Sequence, residues 1–292
     1  MTVVVKIGGA RAVDPGGAVA DVAHLTATGE RVVVVHGGST AVDETIERLG
    51  MTPEYVETPG GVKGRFTDAD AMEAFTMAMG RVNTDLVAAL QAEGVTAVGL
   101  SGVDGKLLAG PRKSAVRVLE DGKKKIRRGD HSGTVERVNA DLLETLLEAG
   151  YTPVVGPPMY ADDETPVNAD ADRVAAAVAA ALGAELVVLT DVPGLLADPD
   201  DASTLVDAVA TPDDLEAAED AAEGFMTKKV MAATEALAGG AAAVVVADAN
   251  ANDPVVAALD GAGTRFTPGA VGREAADESD PQRETDPEAD SV

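Results

Sequence analysis

The chain has no cysteine, no tryptophan, three histidines and only 2% aromatic residues in 292 positions. Without thiols there is no disulfide, no thiolate nucleophile and no sulfur-ligated metal. His24, His36 and His131 are scattered, so no histidine-built metal site is assigned. No apolar run reaches the roughly 18–20 residues of a membrane span. The opening MTVVVKIGGARAV lacks the basic segment and long apolar core of a signal peptide. A cytoplasmic protein with no membrane partner is expected. Basic residues are also scarce: 23 Lys and Arg face 50 Asp and Glu, for a net charge of −27. A carboxylate excess of that size points to a high-salt cytoplasm, where a hydrated acidic surface keeps proteins soluble. At roughly 1 M salt the Debye length is only ~3 Å, so charges there act by contact rather than by steering.

What the chain does have is apolar mass, mostly Ala and Val. Hydrophobic residues make up 46% of it, enough for a large core in one domain or two lobes. Apolar β-branched runs at 2–9, 31–38, 96–102, 151–158, 184–191 and 241–248 read as strands. Their lack of alternation suits parallel strands buried on both faces. Helical patterns fall between them at 13–29, 40–49, 68–93, 139–149, 171–182, 212–221 and 227–239. This alternation predicts an α/β fold, an open and mostly parallel sheet with helices on both faces. SAVRVLEDGKKKIRR breaks the rhythm: short β arms flank Asp121–Gly122, a two-residue hairpin signal, so a protruding β-hairpin is expected. The last twenty residues carry eight acids against two bases and are expected to be a disordered acidic tail, about 272–292.

Strand, paired glycines and helix occur in succession twice. In VVVKIGG, Lys6 stands two residues before Gly8 and Gly9; in VVVVHGGSTAVDETIERLG, Gly37 and Gly38 precede a helix. Thr40 and Asp43 there make a capping-box pattern, and Val42, Ile46 and Leu49 mark one apolar face. Glycines at the carboxyl end of a parallel strand let backbone N–H groups approach an anion, and a helix N-terminus adds positive potential. A tight turn needs glycine too; two such turns with a lysine in reach favour the anion site. His36 beside them reads as structural. Neither GxxxxGK[ST] nor GxGxxG is present, so a nucleotide would be held by other means.

In TPVNADADRVAAAVAAALGAELVVLTDVPG, Asn168, Asp170 and Asp172 lie at the mouth of a helix, where carboxylates meet the positive dipole end. Capping alone explains Asp170 but not the trio. The next strand ends at Thr190–Asp191, facing the crevice where open α/β sheets bind ligands. In GFMTKKVMAATEAL, Lys228 and Lys229 come early in a helix, against its dipole. At least one is expected to have an anionic partner, and Lys228 is the better candidate for a solvated lysine.

The scarce bases are themselves clustered. Arg112, Lys113, Arg117, Lys123, Lys124, Lys125, Arg127 and Arg128 place eight of the 23 in seventeen positions. A docking surface for an acidic partner and a solvated loop that offsets local repulsion both remain open. Nucleic acid does not fit, because phosphate binding weakens steeply with salt and the rest of the surface repels a polyanion.

KIGG, VVHGG, GRFTD, NADADRVAAAVAAALGAE, LTDVPGLL and GFMTKKVMAA together resemble the amino-acid kinase family, acetylglutamate kinase among its members, over about residues 1–271. GGVKGRFTDADAMEAF, VGLSGVDGKLLAGPRKSAV and KKIRRGDHSGTVERVNADLL look most like the branch that phosphorylates glutamate or 2-aminoadipate attached to a small acidic amino-group carrier protein (LysW type). The resemblance implies an ATP-dependent kinase forming an acyl phosphate in arginine or lysine biosynthesis, with Mg²⁺ arriving on the nucleotide and a homodimeric assembly. It implies an amino-acid and carrier lobe at 1–183 and a nucleotide lobe at 184–271. Lys6 and Lys229 would stabilise the transferred phosphoryl group and Asp172 would hold both. Gly8, Gly9, Gly37 and Gly38 would present backbone donors. Arg65 would fork onto the substrate's α-carboxylate, and Asn168 would bond its acylated nitrogen. Thr190, Asp191, Gly194 and Met226 would line the ATP site, and the eight hairpin bases would receive the carrier. Acetylglutamate kinase acting on the free small molecule, and a non-catalytic nucleotide-binding regulator, are the alternatives. Ser39 stands where many relatives have a third glycine, and Asp170 where acetylglutamate kinases usually have asparagine.

Overall fold

The structure is a computed structural model that describes residues 1–9, 14–59, 61, 63–120, 123–199, 201–222 and 224–273. The expected acidic tail lies outside the described residues beyond Arg273, as does the hairpin turn Asp121–Gly122.

β1 (Thr2–Ile7) is buried along its whole length, as a valine run between two neighbouring strands must be. α1 (Gly16–Ala27), β2 (Arg31–His36) and α2 (Ser39–Arg48) follow. A small hairpin of β3 (Tyr55–Glu57) and β4 (Lys63–Arg65) precedes the long α3 (Ala69–Ala92). β5 (Ala97–Gly102) and β6 (Leu108–Gly110) lead into an arm made of β7 (Arg112–Glu120) and β8 (Lys123–Gly133). Next come β9 (Arg137–Val138), α4 (Ala140–Glu148), β10 (Thr152–Ala161), β11 (Pro166–Val167) and α5 (Ala171–Leu182). The last part holds β12 (Glu185–Thr190), β13 (Ala208–Val209), α6 (Pro212–Ala221) and α7 (Phe225–Gly239). It closes with β14 (Ala243–Asp248), α8 (Pro254–Leu259) and β15 (Thr264–Phe266).

β14, β12, β1, β2, β10 and β5 run parallel in that order. Within this sheet, among the described residues, antiparallel pairs occur only where short strands join the margin: β15 on β14, β9 on β6 and β11 on β10. The pleat sends alternate valines to opposite faces. Val3 and Val5 join a core with residues of α1, α3 and α8, while Val4 joins another with residues of α4, α5 and α7. This is the expected sheet between two helical layers. One ladder, Val3–Lys6 against Glu185–Val188, joins the strands assigned to the two lobes.

The expected capping box at α2 does not form. The helix begins at Ser39 after Gly38 with no side-chain cap, and Asp43 turns away to pair with Arg65. A cationic guanidinium is a stronger partner for a carboxylate than one backbone N–H. The β3–β4 hairpin and α8 give too short an apolar pattern to be read from periodicity.

Candidate functional site

Lys6 is the penultimate residue of β1, Asp172 lies in the first turn of α5, and Lys229 in the second turn of α7. All three are buried. Asp172 Oδ1 sits 2.5 Å from Lys6 Nζ, and Oδ2 accepts from Lys229 Nζ at 3.2 Å. Among the described residues Oδ1 has no well-aligned hydrogen bond, so charge rather than directionality holds Lys6. Burial pushes the Asp172 carboxyl up, but the Lys6 and Lys229 ammoniums outweigh it and hold it well below the usual carboxylate range. Burial lowers Lys229 against the pull of Asp172, and Lys6 adds to the fall. Two cations on one anion leave a surplus positive charge where water cannot neutralise it, a place that favours an incoming anion.

The two glycine turns stack backbone against backbone beside this triangle. A Cβ on Gly9 would lie 2.2 Å from Gly38 N and 2.6 Å from Gly37 C, so only glycine allows the approach. Gly9 O accepts from Thr40 N at 3.1 Å and from Ser39 Oγ at 3.2 Å. Ser39 thus ties one turn to the other. Among the described residues, the N–H groups of Gly8, Gly9 and Gly38 donate to no backbone carbonyl outside the strand ladders. His36 is structural, as expected. Its Nδ1 lies 3.1 Å from Gly37 O, and Asn83 Nδ2 donates to its Nε2 at 3.0 Å. Burial lowers its pKa to about 4 despite that backbone bond, so at neutral pH it is an uncharged prop for the second turn.

Arg65 reaches the start of α2. Its guanidinium pairs with Asp43, donates to Ser39 O at 3.0 Å and to Tyr55 Oη at 3.1 Å, and covers the Tyr55 ring at 5.1 Å. Burial and the hydrogen bond to Asp43 raise the Tyr55 phenol. A substrate carboxylate at Arg65 must therefore share the fork with these groups. Asn168 Nδ2 donates to Thr67 Oγ1 at 3.2 Å. Asp170 caps α5, accepting from Asp172 N at 3.0 Å and Arg173 N at 3.4 Å, and faces Lys228 Nζ at 3.7 Å.

Thr190 closes β12 next to β1, with its hydroxyl on Asp191 Oδ1 at 3.2 Å. Asp191 is exposed at the carboxyl edge of the sheet, while Met226 is half-buried against the core. A Cβ on Gly194 would meet Thr264 Oγ1 at 2.6 Å, so this glycine also serves close packing. Among the described residues, no group of three or more His, Cys, Asp or Glu could hold a metal ion.

The basic segment is a hairpin, with Arg117 opposite Ile126 and Leu119 opposite Lys124. Its two faces differ. Val118 is fully buried, and its face also carries Arg127, which stacks on Phe66 at 4.0 Å and forks onto Glu54. That hydrogen bond lowers the Glu54 carboxyl. The opposite face is open: Ile126 is 66% and Leu119 39% exposed, among Arg117, Lys124 and Arg128. Lys113, Lys123 and Lys125 are exposed as well. Arg112 folds back, its Nε donating to Asp130 O at 3.0 Å and its Nη2 lying 3.1 Å from His131 Nε2.

Tyr55, Thr67, Asn83 and Asp130 carry much of this arrangement and have no local signature, and the capping pattern of Asp43 points to a different role. Each acts on a residue distant in sequence, so only the fold reveals it.

The amino acid kinase family model matches residues 1–248. A [LysW]-aminoadipate kinase of Thermus thermophilus is 45% identical over 269 residues, covering 90% of this chain and 98% of that protein. An acetylglutamate kinase of Methanopyrus kandleri is 43% identical over 218 residues, covering 73% of this chain and 84% of its own. N-acetylglutamate synthase of Neisseria gonorrhoeae superposes with a TM-score of 0.71 at 24% identity. That alignment covers 91% of this chain, which spans 59% of the synthase, and it bears on the fold alone. A match that runs from the first strand through β14, with relatives at these identities, settles the membership: the chain belongs to the amino acid kinase family.

Proposed function

We propose that this phosphotransferase moves the γ-phosphoryl group of ATP onto the side-chain carboxylate of glutamate or 2-aminoadipate held on an acidic amino-group carrier protein. The product is an acyl phosphate for arginine or lysine biosynthesis. The observation that carries the reading is the buried Lys6–Asp172–Lys229 triangle at the carboxyl end of the parallel sheet. An acceptor carboxylate is already ionised, so no general base is needed, and Asp172 is committed to two lysines in any case. The work is positioning and charge neutralisation. Lys6 approaches from β1 and Lys229 from α7, so the surplus cation meets the transferred group from two sides. The N–H groups of Gly8, Gly9 and Gly38 add fixed dipoles that need no reorganisation.

Arg65 and Asn168 hold the acceptor, with the Gly37–Gly38 turn beneath it. Thr190, Asp191, Gly194 and Met226 border the nucleotide. The donor set does not suit a protein-ligated Mg²⁺, because Asp172 is neutralised by lysines. Mg²⁺ would enter with the nucleotide, held by phosphate oxygens and water. The carrier docks on the open face of the hairpin, where Arg117, Lys124 and Arg128 surround Leu119 and Ile126. Apolar contact survives salt that screens charge, which suits the high-salt cytoplasm that the composition favours. Arg112 and Arg127 serve the hairpin's own anchorage instead. A cytoplasmic homodimer belongs to the same reading, by family resemblance.

Trapping the acyl phosphate as a hydroxamate in molar KCl tests this. Carrier-linked glutamate, carrier-linked aminoadipate and free acetylglutamate are compared. Turnover on the carrier-linked acceptors alone is expected, and their ratio names the pathway. The Methanopyrus kandleri relative favours a second reading, acetylglutamate kinase. Equal or better turnover on acetylglutamate would select it and remove the docking role.

A further inference from the structure

Asp130 is 1% exposed, and no cation pairs with its carboxylate among the described residues. A buried carboxylate is retained at a cost unless its oxygens are well used. Oδ1 accepts from Thr67 N at 3.3 Å, and Oδ2 accepts from the Ser132 hydroxyl. Both donors lead to the same place. His131 N donates to Thr67 O at 2.7 Å, Asn168 N to His131 O at 2.8 Å, and Gly133 N to Asn168 O at 2.8 Å. Ser132 and Asn168 form a parallel bridge. The Asn168 amide then donates to the Thr67 hydroxyl at 3.2 Å, closing a ring. Three segments far apart in sequence meet here: the end of the β3–β4 hairpin region, the root of the basic arm, and the residues before α5.

There is no slack in this ring. Thr67 is fully buried, and a Cβ on Gly133 would meet Val167 at 2.8 Å and Met159 at 2.9 Å. Arg112, the first residue of the arm, donates to Asp130 O and lies against His131. The root of the arm and the Asn168 amide are therefore fixed by the same carboxylate.

We infer that Asp130 and Thr67 are positioning residues for the acceptor: Asp130 fixes the Thr67 backbone, and the Thr67 hydroxyl orients the Asn168 amide. This rests on the reading of Asn168 as an acceptor ligand. It extends that reading by making acceptor binding depend on the root of the basic arm. The nucleotide side, with Thr190 and Asp191 at the end of β12, contributes nothing to the ring.

The test is steady-state kinetics of the full-length enzyme and its Asp130→Asn, Thr67→Val and Thr67→Ser variants. The acceptor is whichever of acetylglutamate, carrier-linked glutamate and carrier-linked aminoadipate the wild type uses best. In Asp130→Asn and Thr67→Val the acceptor KM is expected to rise about tenfold, the scale of one well-placed hydrogen bond, with the ATP KM within about twofold of wild type. Thr67→Ser keeps the hydroxyl and is expected to keep the wild-type acceptor KM. An unchanged acceptor KM in both of the first two variants overturns the inference, as does an ATP KM that rises in step. Thr67→Val is nearly isosteric and keeps the N–H that Asp130 uses, so it decides the matter if Asp130→Asn does not fold. Wild-type turnover with no variant effect sinks only this inference. A wild type inactive on all three acceptors sinks the proposed function and the inference with it.

Discussion

Lys6 and Lys229 share one carboxylate inside the molecule, whereas Arg117, Lys124 and Arg128 flank exposed Leu119 and Ile126 on the outside of a hairpin. The first cluster is small, dry and held from three elements. The second is large, wet and local to one supersecondary unit. In a chain of net charge −27 the proposed function gives scarce positive charge two uses. On that reading, buried cations neutralise a transferred group, and exposed cations beside apolar residues meet a partner by contact.

The sharpest way to break this comparison is to remove the shared anion. Asp172→Ala leaves two like charges buried without a counter-ion, and breaking a buried pair in this way costs about 3–5 kcal/mol. Chemical denaturation is expected to show that loss along with lost turnover; an unchanged midpoint would mean that water reaches the site. Lys229→Ala leaves Asp172 paired with Lys6. Turnover is expected to fall on the order of 10²–10³-fold, the scale of losing one preorganised charge-stabilising group. The change in stability should be far smaller than for Asp172→Ala. Wild-type turnover in that variant would sink the assignment.

The pH dependence should separate the clusters next. Lys229 has a lowered pKa, so turnover that needs its charge should decline on the alkaline side before the ordinary lysine value of about 10.4. For stability, the depressed Asp172 contributes fully above the unfolded carboxylate value of about 3.9 and loses that contribution as pH falls towards its folded value. Lys229 acts with the same sign in a higher window: its folded value is lowered by burial, so its charged form is a cost to stability that is relieved as pH rises from that value towards about 10.4. Urea titrations of wild type and Asp172→Asn, compared from pH 2 to 5, should show the acid-side component only in the wild type.

The smallest effect is expected outside. Replacing Arg117, Lys124 and Arg128 with alanine should raise the KM for a carrier-linked acceptor about tenfold and leave the unfolding midpoint unchanged, since exposed charges contribute little to stability. Ile126→Ser should weaken the same KM severalfold, and this loss should persist in molar KCl. A carrier KM indifferent to all four residues would place docking elsewhere.

The amino-acid order by itself determined the layers. Valine runs such as 3–5 and 32–35 can be satisfied only by burial on both faces, and the Ala-rich helix at 171–182 begins and ends where its Asp170 cap and Gly183 direct. The glycine pairs and the lysines at 6 and 229 were legible because unusual residues at strand ends and early in helices need a reason. Tertiary structure alone decided which groups meet. Asp43 carries a capping pattern yet pairs with Arg65; Arg127 lies in the basic cluster yet spends its fork on Glu54. Asp130 looks like any acid in an acidic chain until the fold buries it against Thr67. Periodicity records which face of an element is apolar, because that follows from spacing along one segment. A charged group's partner is fixed by distances between segments, and those exist only once the sheet has been assembled.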